Sequence, residues 1–137
     1  MKRILFLAAL FFLISSCKKD YEVQNIDTDL LVSAGVENEK VGLGIESERM
    51  YPTPGHEITY CDKVSKNEIY IKFKKINAPA GGLTVLAPAS CSIDLGELEN
   101  GEYKITFELN KKKTNGKLIV GTNVELTIDS GSNVKPK

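Results

Sequence analysis

The chain has 137 residues, with equal numbers of basic and acidic side chains, one histidine and no tryptophan. This length suits one domain rather than two, and an apolar fraction of 42% is too high for a chain that stays disordered. The balanced charge does not indicate the strongly basic chain that is typical of nucleic-acid binding, so we expect no nucleic-acid partner.

The N-terminus has the pattern of a signal peptide. Lys2 and Arg3 precede eleven uninterrupted apolar residues, which run from Ile4 to Ile14. This run is too short to span a hydrocarbon core, which needs about 20 residues, and it is typical of the apolar region of a signal peptide. Loss of Lys2 and Arg3 with residues 1–16 leaves 16 basic and 18 acidic side chains, a net charge of −2.

The end of the apolar run resembles the lipobox of bacterial lipoproteins, in which an aliphatic residue and two small residues precede a cysteine. Here the four residues are Ile14, Ser15, Ser16 and Cys17. The resemblance implies that residues 1–16 are removed and that the Cys17 sulfur carries diacylglycerol, with acyl chains such as palmitate. Two or three acyl chains on one residue give stable membrane anchoring.

The residues after Cys17 extend this resemblance. Lys18, Lys19 and Asp20 are similar to the mature start of many Bacteroidota lipoproteins. The resemblance implies an outer-membrane lipoprotein of the cell envelope that faces either the periplasm or the cell surface. The polar, aperiodic segment 17–28 is interpreted as the lipidated cysteine and a flexible tether.

The rest of the mature chain alternates apolar and polar residues with a period of two, which predicts strands. The clear strands cover residues 30–34, 41–45, 69–73, 103–109 and 124–128, and the weaker ones residues 57–62, 83–86 and 117–120. Seven or eight short strands predict an all-β fold, a small antiparallel β-sandwich over residues 29–129. Residues 130–137 are predicted to be a disordered tail.

Two local patterns refine this prediction. Asn115 and Gly116 form the strongest two-residue hairpin signal, so we expect a type I′ turn between strands 103–109 and 117–120. Residues 65–76 are ambiguous, because Ser65 and Glu68 match a helix capping box. The β-branched and aromatic content of this segment favours a strand, with a helix as the alternative.

The segment from Glu99 to Tyr103 resembles the acid-x-Gly-x-Tyr turn before strand F of immunoglobulin-like and fibronectin-III-like domains. The resemblance implies an immunoglobulin-like sandwich in which Gly101 and Tyr103 build a structural turn. In that turn the Tyr103 hydroxyl bonds back to the backbone. The chain differs from true immunoglobulin domains in having Ile105 where the second cysteine is expected.

Cys61 and Cys91 are the two cysteines that remain after lipidation. Outside the cytoplasm such a pair is usually a disulfide, and this is our prediction. The alternative is a redox or metal-binding thiol pair, which is disfavoured because metal sites usually need more soft ligands.

No pattern of catalytic residues accompanies the single histidine, so we predict no catalytic residue, no metal site and no cofactor. His56 follows Pro54 and Gly55 and is interpreted as a histidine of a surface loop. Three other sets of residues have both a functional and a structural interpretation.

The acids are interpreted as a calcium site or as an exposed turn: Asp94, Glu97, Glu99 and Glu102. The lysines are interpreted as a basic patch or as solubilising charges: Lys72, Lys74, Lys75, Lys104 and Lys111 to Lys113. The tyrosines are interpreted as a sugar-binding platform or as packing residues: Tyr51, Tyr60 and Tyr70.

The sequence predicts a lipid-anchored, non-enzymatic binding or accessory module of the cell envelope. Its expected partners are the membrane, through the lipid on Cys17, and a polysaccharide or a protein. The alternative is a protease inhibitor that presents His56 or the loop at residues 78–82 to a protease; a minor hydrolase is a further alternative.

Overall fold

The structure, a computed structural model, describes residues 22–137. Its strands are β1 (Val23–Gln24), β2 (Leu30–Glu37), β3 (Lys40–Tyr51), β4 (Glu57–Ser65), β5 (Glu68–Asn77), β6 (Ala87–Gly96), β7 (Gly101–Leu109), β8 (Lys112–Val120), β9 (Val124–Ile128) and β10 (Val134–Pro136). The part of the chain that the structure describes contains no helix, and so none long and apolar enough to cross a membrane. The prediction of an all-β fold is confirmed.

The residues that alternate with a period of two in the sequence face alternately the interior and the outside of the sheet. Along β7, Tyr103, Ile105, Phe107 and Leu109 are buried, and the residues between them lie nearer to solvent. The ambiguous segment 65–76 is extended, with a turn at residues 66–67 followed by β5, so the strand interpretation is confirmed.

The strands form one mixed sheet rather than an antiparallel sandwich. Their order is β10-β2-β3-β6-β4-β5-β7-β8-β9, and β1 pairs with the end of β5. Three of the pairs are parallel: β10 with β2, β4 with β6, and β5 with β7. Because β9 packs beside β2 and β10, the sheet curls into a nearly closed barrel. The predicted antiparallel sandwich of seven or eight strands is therefore corrected to ten strands in a barrel-like mixed sheet.

The interior of this barrel is filled by branched aliphatic and aromatic side chains from every long strand. Phe73 of β5 and Phe107 of β7 stack with ring centroids 6.1 Å apart. Each buried side chain of this size contributes about 1.5–3 kcal/mol through removal of apolar surface from water. The fully buried members include Leu30, Leu43, Ile45, Ile58, Ile69, Ile71, Ile76, Ile93, Ile105, Phe107 and Leu118.

The turn predicted at Asn115 and Gly116 is wrong. Both residues lie inside β8, where Gly116 pairs with Ile105. A Cβ on Gly116 would lie 2.5 Å from the Thr127 carbonyl oxygen, so the glycine allows the close approach of β9. The turn that joins β7 to β8 is at Asn110 and Lys111, whose φ angles of 51° and 65° match a type I′ turn.

The strand predicted at residues 83–86 is also wrong, because this segment belongs to a loop between β5 and β6. Leu83, Val85 and Leu86 are exposed, and the loop pairs with no strand of the described chain. Their alternation matched the pattern of a strand, but a strand also needs a neighbour to pair with.

Both ends of the predicted domain need correction. The residues of the predicted tether from Val23 onward are ordered: Val23 and Gln24 pair with β5, and Ile26 is buried in the core. The predicted disordered tail contains β10, which runs parallel to β2 and buries Val134. Both segments therefore belong to the folded domain.

The barrel has two ends that differ in structure. The hairpin end consists of the turn at Asn38 and Glu39 with the adjoining parts of β2, β3 and β6. The loop end consists of β1 and the loops at residues 52–56 and 78–86. The 12 residues of β3 run from one end to the other, a path of up to about 40 Å at 3.3 Å per residue.

Candidate functional site

A groove with a volume of about 710 Å³ lies at the hairpin end. Gly35 of β2 pairs with Gly42 of β3, and Gly44 of β3 pairs with Ser33 of β2. Because glycine carries no side chain, the backbone of these two strands is accessible along the groove. The sequence analysis missed this site, although three glycines alternating with apolar residues in two adjacent strands were the signal.

Polar groups of β3 and β6 line one side of the groove. Ser92 pairs with Gly44, and Asp94 pairs with Gly42. The Lys40 ammonium lies 3.9 Å from the Asp94 carboxylate, and the other Asp94 oxygen accepts a hydrogen bond of 2.8 Å from the Gly96 N–H. Hydroxyl, carboxylate and ammonium groups around an accessible backbone suit a polar ligand that exchanges hydrogen bonds.

The loop end contains the single histidine. His56 is buried, its ring stacks on Tyr51 with centroids 4.5 Å apart, and its Nδ1 lies 2.9 Å from the Thr53 carbonyl oxygen. The prediction of an exposed loop histidine is wrong, because the turn at residues 52–56 folds inward over the end of β3. A histidine held in this way fixes a loop and is not available to an external substrate.

The Tyr51 side chain completes this cluster. Burial raises the pKa of its phenol, and the Arg49 guanidinium lies 5.5 Å from its ring centroid. The Tyr51 hydroxyl is buried and has no hydrogen-bond partner among the described residues.

A bulge in β3 bends the chain into the loop end. Between Glu46 and Met50 three residues of β3 oppose a single residue of β6, Ala89. The buried Ser47 hydroxyl donates to the Arg49 carbonyl at 2.7 Å and accepts the Ala89 N–H at 2.8 Å. The residues before β2 complete the bulge, since the Asp27 carboxylate lies 2.9 Å from the Arg49 guanidinium. The end of the predicted tether is thus part of the folded domain.

The disulfide predicted between Cys61 and Cys91 is not formed, and both residues are free thiols. Tyr60 packs against the core and donates a hydrogen bond of 3.2 Å to the Ser92 carbonyl. Because successive residues of a strand point to opposite faces, Cys61 lies on the outer face of β4. Cys91 packs against the core on β6, so the two thiols lie on opposite faces of the sheet.

The environment of Cys91 keeps it neutral. Burial raises its pKa from the ordinary value of 9.0 to about 12, and the nearby Glu57 carboxylate acts in the same direction. A reactive or metal-binding cysteine needs a thiolate, which this environment opposes.

The structural turn at Gly101 and Tyr103 is present. The Tyr103 hydroxyl donates a hydrogen bond of 2.8 Å to the Glu99 carbonyl, four residues earlier. Gly101 has a φ of 155°, a conformation that side-chain-bearing residues rarely adopt. This turn joins β6 to β7 at the hairpin end of the barrel.

The other candidate sets are dispersed. The described residues contain no group of three or more His, Cys, Asp or Glu side chains that could hold a metal ion. Of the acids, Asp94 faces Lys40, and Glu102 forms a 3.2 Å ion pair with Lys117. Tyr51 is buried and Tyr60 is half-buried, so the three tyrosines do not form a common exposed platform.

Cys17 lies outside the described residues, and its lipidation stays a prediction. The structure shows where the chain emerges from that segment: the Glu22 carbonyl accepts a 2.9 Å hydrogen bond from the Ala78 N–H at the loop end. Comparison with known proteins gives no assignment, since no family model, no curated protein and no solved structure matches the chain.

Proposed function

We propose that this protein is a lipid-anchored, non-enzymatic binding module of the cell envelope, attached through Cys17 and binding a polar ligand in the groove at the hairpin end. The observation that carries the proposal is the placement of the two features at opposite ends of β3. Glu22, five positions after Cys17 in the sequence, lies at the loop end, and the groove lies at the other end. An anchored molecule with this arrangement presents its groove away from the membrane.

The anchoring part of the proposal rests on the lipobox and is tested at Cys17. Cys17→Ala abolishes incorporation of radiolabelled palmitate and leaves the precursor uncleaved by the lipoprotein signal peptidase. Cys61→Ser is the matched control, because Cys61 is an exposed free thiol that the proposal does not use. Label retained in Cys17→Ala would refute the anchor, and so would label lost in Cys61→Ser.

The ligand class follows from the groove. Serine hydroxyls, the Asp94 carboxylate and accessible backbone amides exchange hydrogen bonds with a hydroxyl-rich ligand, so a polysaccharide is the partner that we propose. We infer the outer membrane as the location from the Bacteroidota-like start of the mature chain. The groove faces the periplasm or the cell surface according to the leaflet that holds the lipid.

A groove-filling variant tests this site. A Cβ on Gly35 meets no atom within 4 Å, so Gly35→Leu fills the groove without strain in the sheet. Lys72→Leu, which adds the same side chain on the exposed part of β5, is the control. On a glycan array Gly35→Leu loses the signals of the wild type and Lys72→Leu keeps them. Equal binding by both variants would exclude the groove.

Protease inhibition stays a prediction, but the segment that could contact a protease differs from the one expected from the sequence. His56 and Ala78 are buried, and the exposed part of the loop is residues 80–86. Assays with papain-like and subtilisin-like proteases test this alternative.

A further inference from the structure

The loop between β5 and β6 presents a group of exposed apolar side chains at the loop end. Leu83, Val85 and Leu86 are 77%, 54% and 67% exposed, which is unusual for three large apolar residues within four positions. No charged residue occurs from Ile76 to Ile93. Two further exposed apolar side chains, Val23 of β1 and Met50 of β3, lie at the same end.

The base of this loop is fixed, and its apex is free. A Cβ on Gly82 would lie 2.9 Å from the Thr53 side chain, and one on Gly55 would lie 3.5 Å from Pro79. These close approaches hold residues 79–82 against the turn at residues 52–56. Beyond Gly82 the loop has one backbone hydrogen bond of its own, from the Val85 N–H to the Leu83 carbonyl at 3.1 Å. The apolar apex therefore projects from a defined position.

The chain that leads to Cys17 leaves the domain beside this loop. The Ala78 N–H donates to the Glu22 carbonyl, so the first described residue is hydrogen-bonded to the start of the loop. Cys17 lies five positions before Glu22, and five residues span at most about 18 Å. Leu83 is also five residues from Ala78. A lipid on Cys17 would consequently hold the loop apex close to the bilayer surface.

Three lysines at the same end add positive charge that suits an anionic lipid surface. The β7–β8 turn lies at the loop end, because the Asn110 amide donates a 2.7 Å hydrogen bond to the Ile26 carbonyl. Lys111, Lys112 and Lys113 follow it and are exposed. Lysines at the same end of the barrel as an apolar loop match the headgroups and the acyl boundary of an anionic membrane.

We propose that the loop apex formed by Leu83, Val85 and Leu86 inserts into the membrane interface and fixes the orientation of the domain on the bilayer. This proposal rests on the lipidation of Cys17 proposed above. The lipid attaches the domain to the membrane. The loop and the lysines at residues 111–113 then fix one orientation of the attached domain on the bilayer.

The absence of tryptophan from the chain provides a direct test. The full acylated protein with Leu86→Trp is bound to anionic vesicles with and without lipids brominated on their acyl chains. The expected result is tryptophan emission that shifts to shorter wavelength and loses most of its intensity with the brominated lipids. Val36→Trp, at a 51% exposed position of the hairpin end, is the matched control and stays unquenched.

The outcomes separate the two proposals. Failure of both variants to float with vesicles would contradict the lipid anchor itself. Flotation with an unquenched Leu86→Trp reporter would overturn loop insertion and leave the anchor intact. Shielding of that reporter from acrylamide in native membranes, without quenching by brominated lipids, would assign the loop to a protein partner and also overturn the proposal. Equal quenching of both reporters would contradict a defined pose.

Discussion

The two ends of the barrel differ in where their apolar side chains lie. At the loop end the interior is closed by the fully buried residues Ile26, Ile58 and Ile76. Further apolar side chains, those of Leu83, Val85 and Leu86, lie on an exposed loop. At the hairpin end Val36 is exposed, and the outer face is reduced to glycine and serine around a groove. The loop end lies where the chain enters, and the hairpin end carries an open groove lined by both polar and apolar residues.

This difference shows that one sheet can carry different side chains at its two ends. Strands pair through their backbone, so side chains can change from large and apolar to absent without a change in topology. β3 belongs to both ends: Tyr51 packs on His56 at one end, and Gly42 and Gly44 line the groove at the other. Substitutions at matched positions of the two ends should therefore have very different effects.

The largest expected difference concerns the core. Ile58→Ala at the loop end leaves a cavity in a fully buried site and should cost about 3–4 kcal/mol of unfolding free energy. Val36→Ala at the hairpin end should cost less than about 0.5 kcal/mol, because half of the Val36 side chain is already in water. Urea denaturation measures both values. Similar costs for the two variants would show that the Val36 side chain is buried in solution.

A pair of serines gives an intermediate effect. Ser47→Ala removes a buried hydroxyl that bonds both Arg49 and Ala89 in the β3 bulge, and it should cost about 1–3 kcal/mol. Ser33→Ala removes an exposed hydroxyl at a distance of 3.4 Å from the Gly44 carbonyl, and its effect should be within about 0.5 kcal/mol. The same denaturation measurement decides, and a cost for Ser33→Ala as large as that for Ser47→Ala would contradict the comparison.

A pair of tyrosines gives effects of opposite sign. Tyr103→Phe at the hairpin end removes the hydrogen bond to the Glu99 carbonyl and should cost about 1 kcal/mol. Tyr51→Phe at the loop end removes a buried hydroxyl without a partner among the described residues, so it should be neutral or stabilising. Thermal unfolding of the two variants checks the signs. A loss in Tyr51→Phe equal to that in Tyr103→Phe would show that the Tyr51 hydroxyl is hydrogen-bonded.

The sheet between the two ends supplies an effect that is absent at neutral pH and appears only at high pH. The pKa of Cys91 is raised from 9.0 to about 12 in the folded protein, so between these values the unfolded chain loses a proton that the folded one keeps. The contribution of Cys91 to stability is therefore complete below pH 9 and is lost as the pH rises from 9 to 12. Cys91→Ala should reduce the fall in unfolding free energy over this range. An unchanged pH profile would place Cys91 in water.

The local alternation of residues was sufficient to predict most of the strands, because it depends only on which face is buried. Strands β3, β5, β7 and β9 all contain their predicted segments. The turns were harder to predict from the sequence. Asn115 and Gly116 have the composition of a turn, but Gly116 is required because Thr127 leaves no space for a side chain. Such a requirement comes from a neighbouring strand and is not visible in a local pattern.

The ends of the domain and its site were not predictable for the same reason. Val134 of β10 pairs with Leu30 of β2, and Val23 pairs with Asn77 of β5, so these short strands depend on residues far away in sequence. The parity that separates Cys61 from Cys91 depends on Tyr60 pointing to the core. The groove needed the register that places Gly35 opposite Gly42.

The central claim is that the loop end faces the membrane and the hairpin end faces away from it. Hydrogen exchange tests this without any substitution, by comparison of the acylated full-length protein on anionic vesicles with the soluble form of residues 18–137. The account predicts slower exchange on vesicles for the amides of residues 80–86 and unchanged exchange at Asn38 and Glu39. Unchanged exchange in residues 80–86, or protection at Asn38 and Glu39, would contradict it.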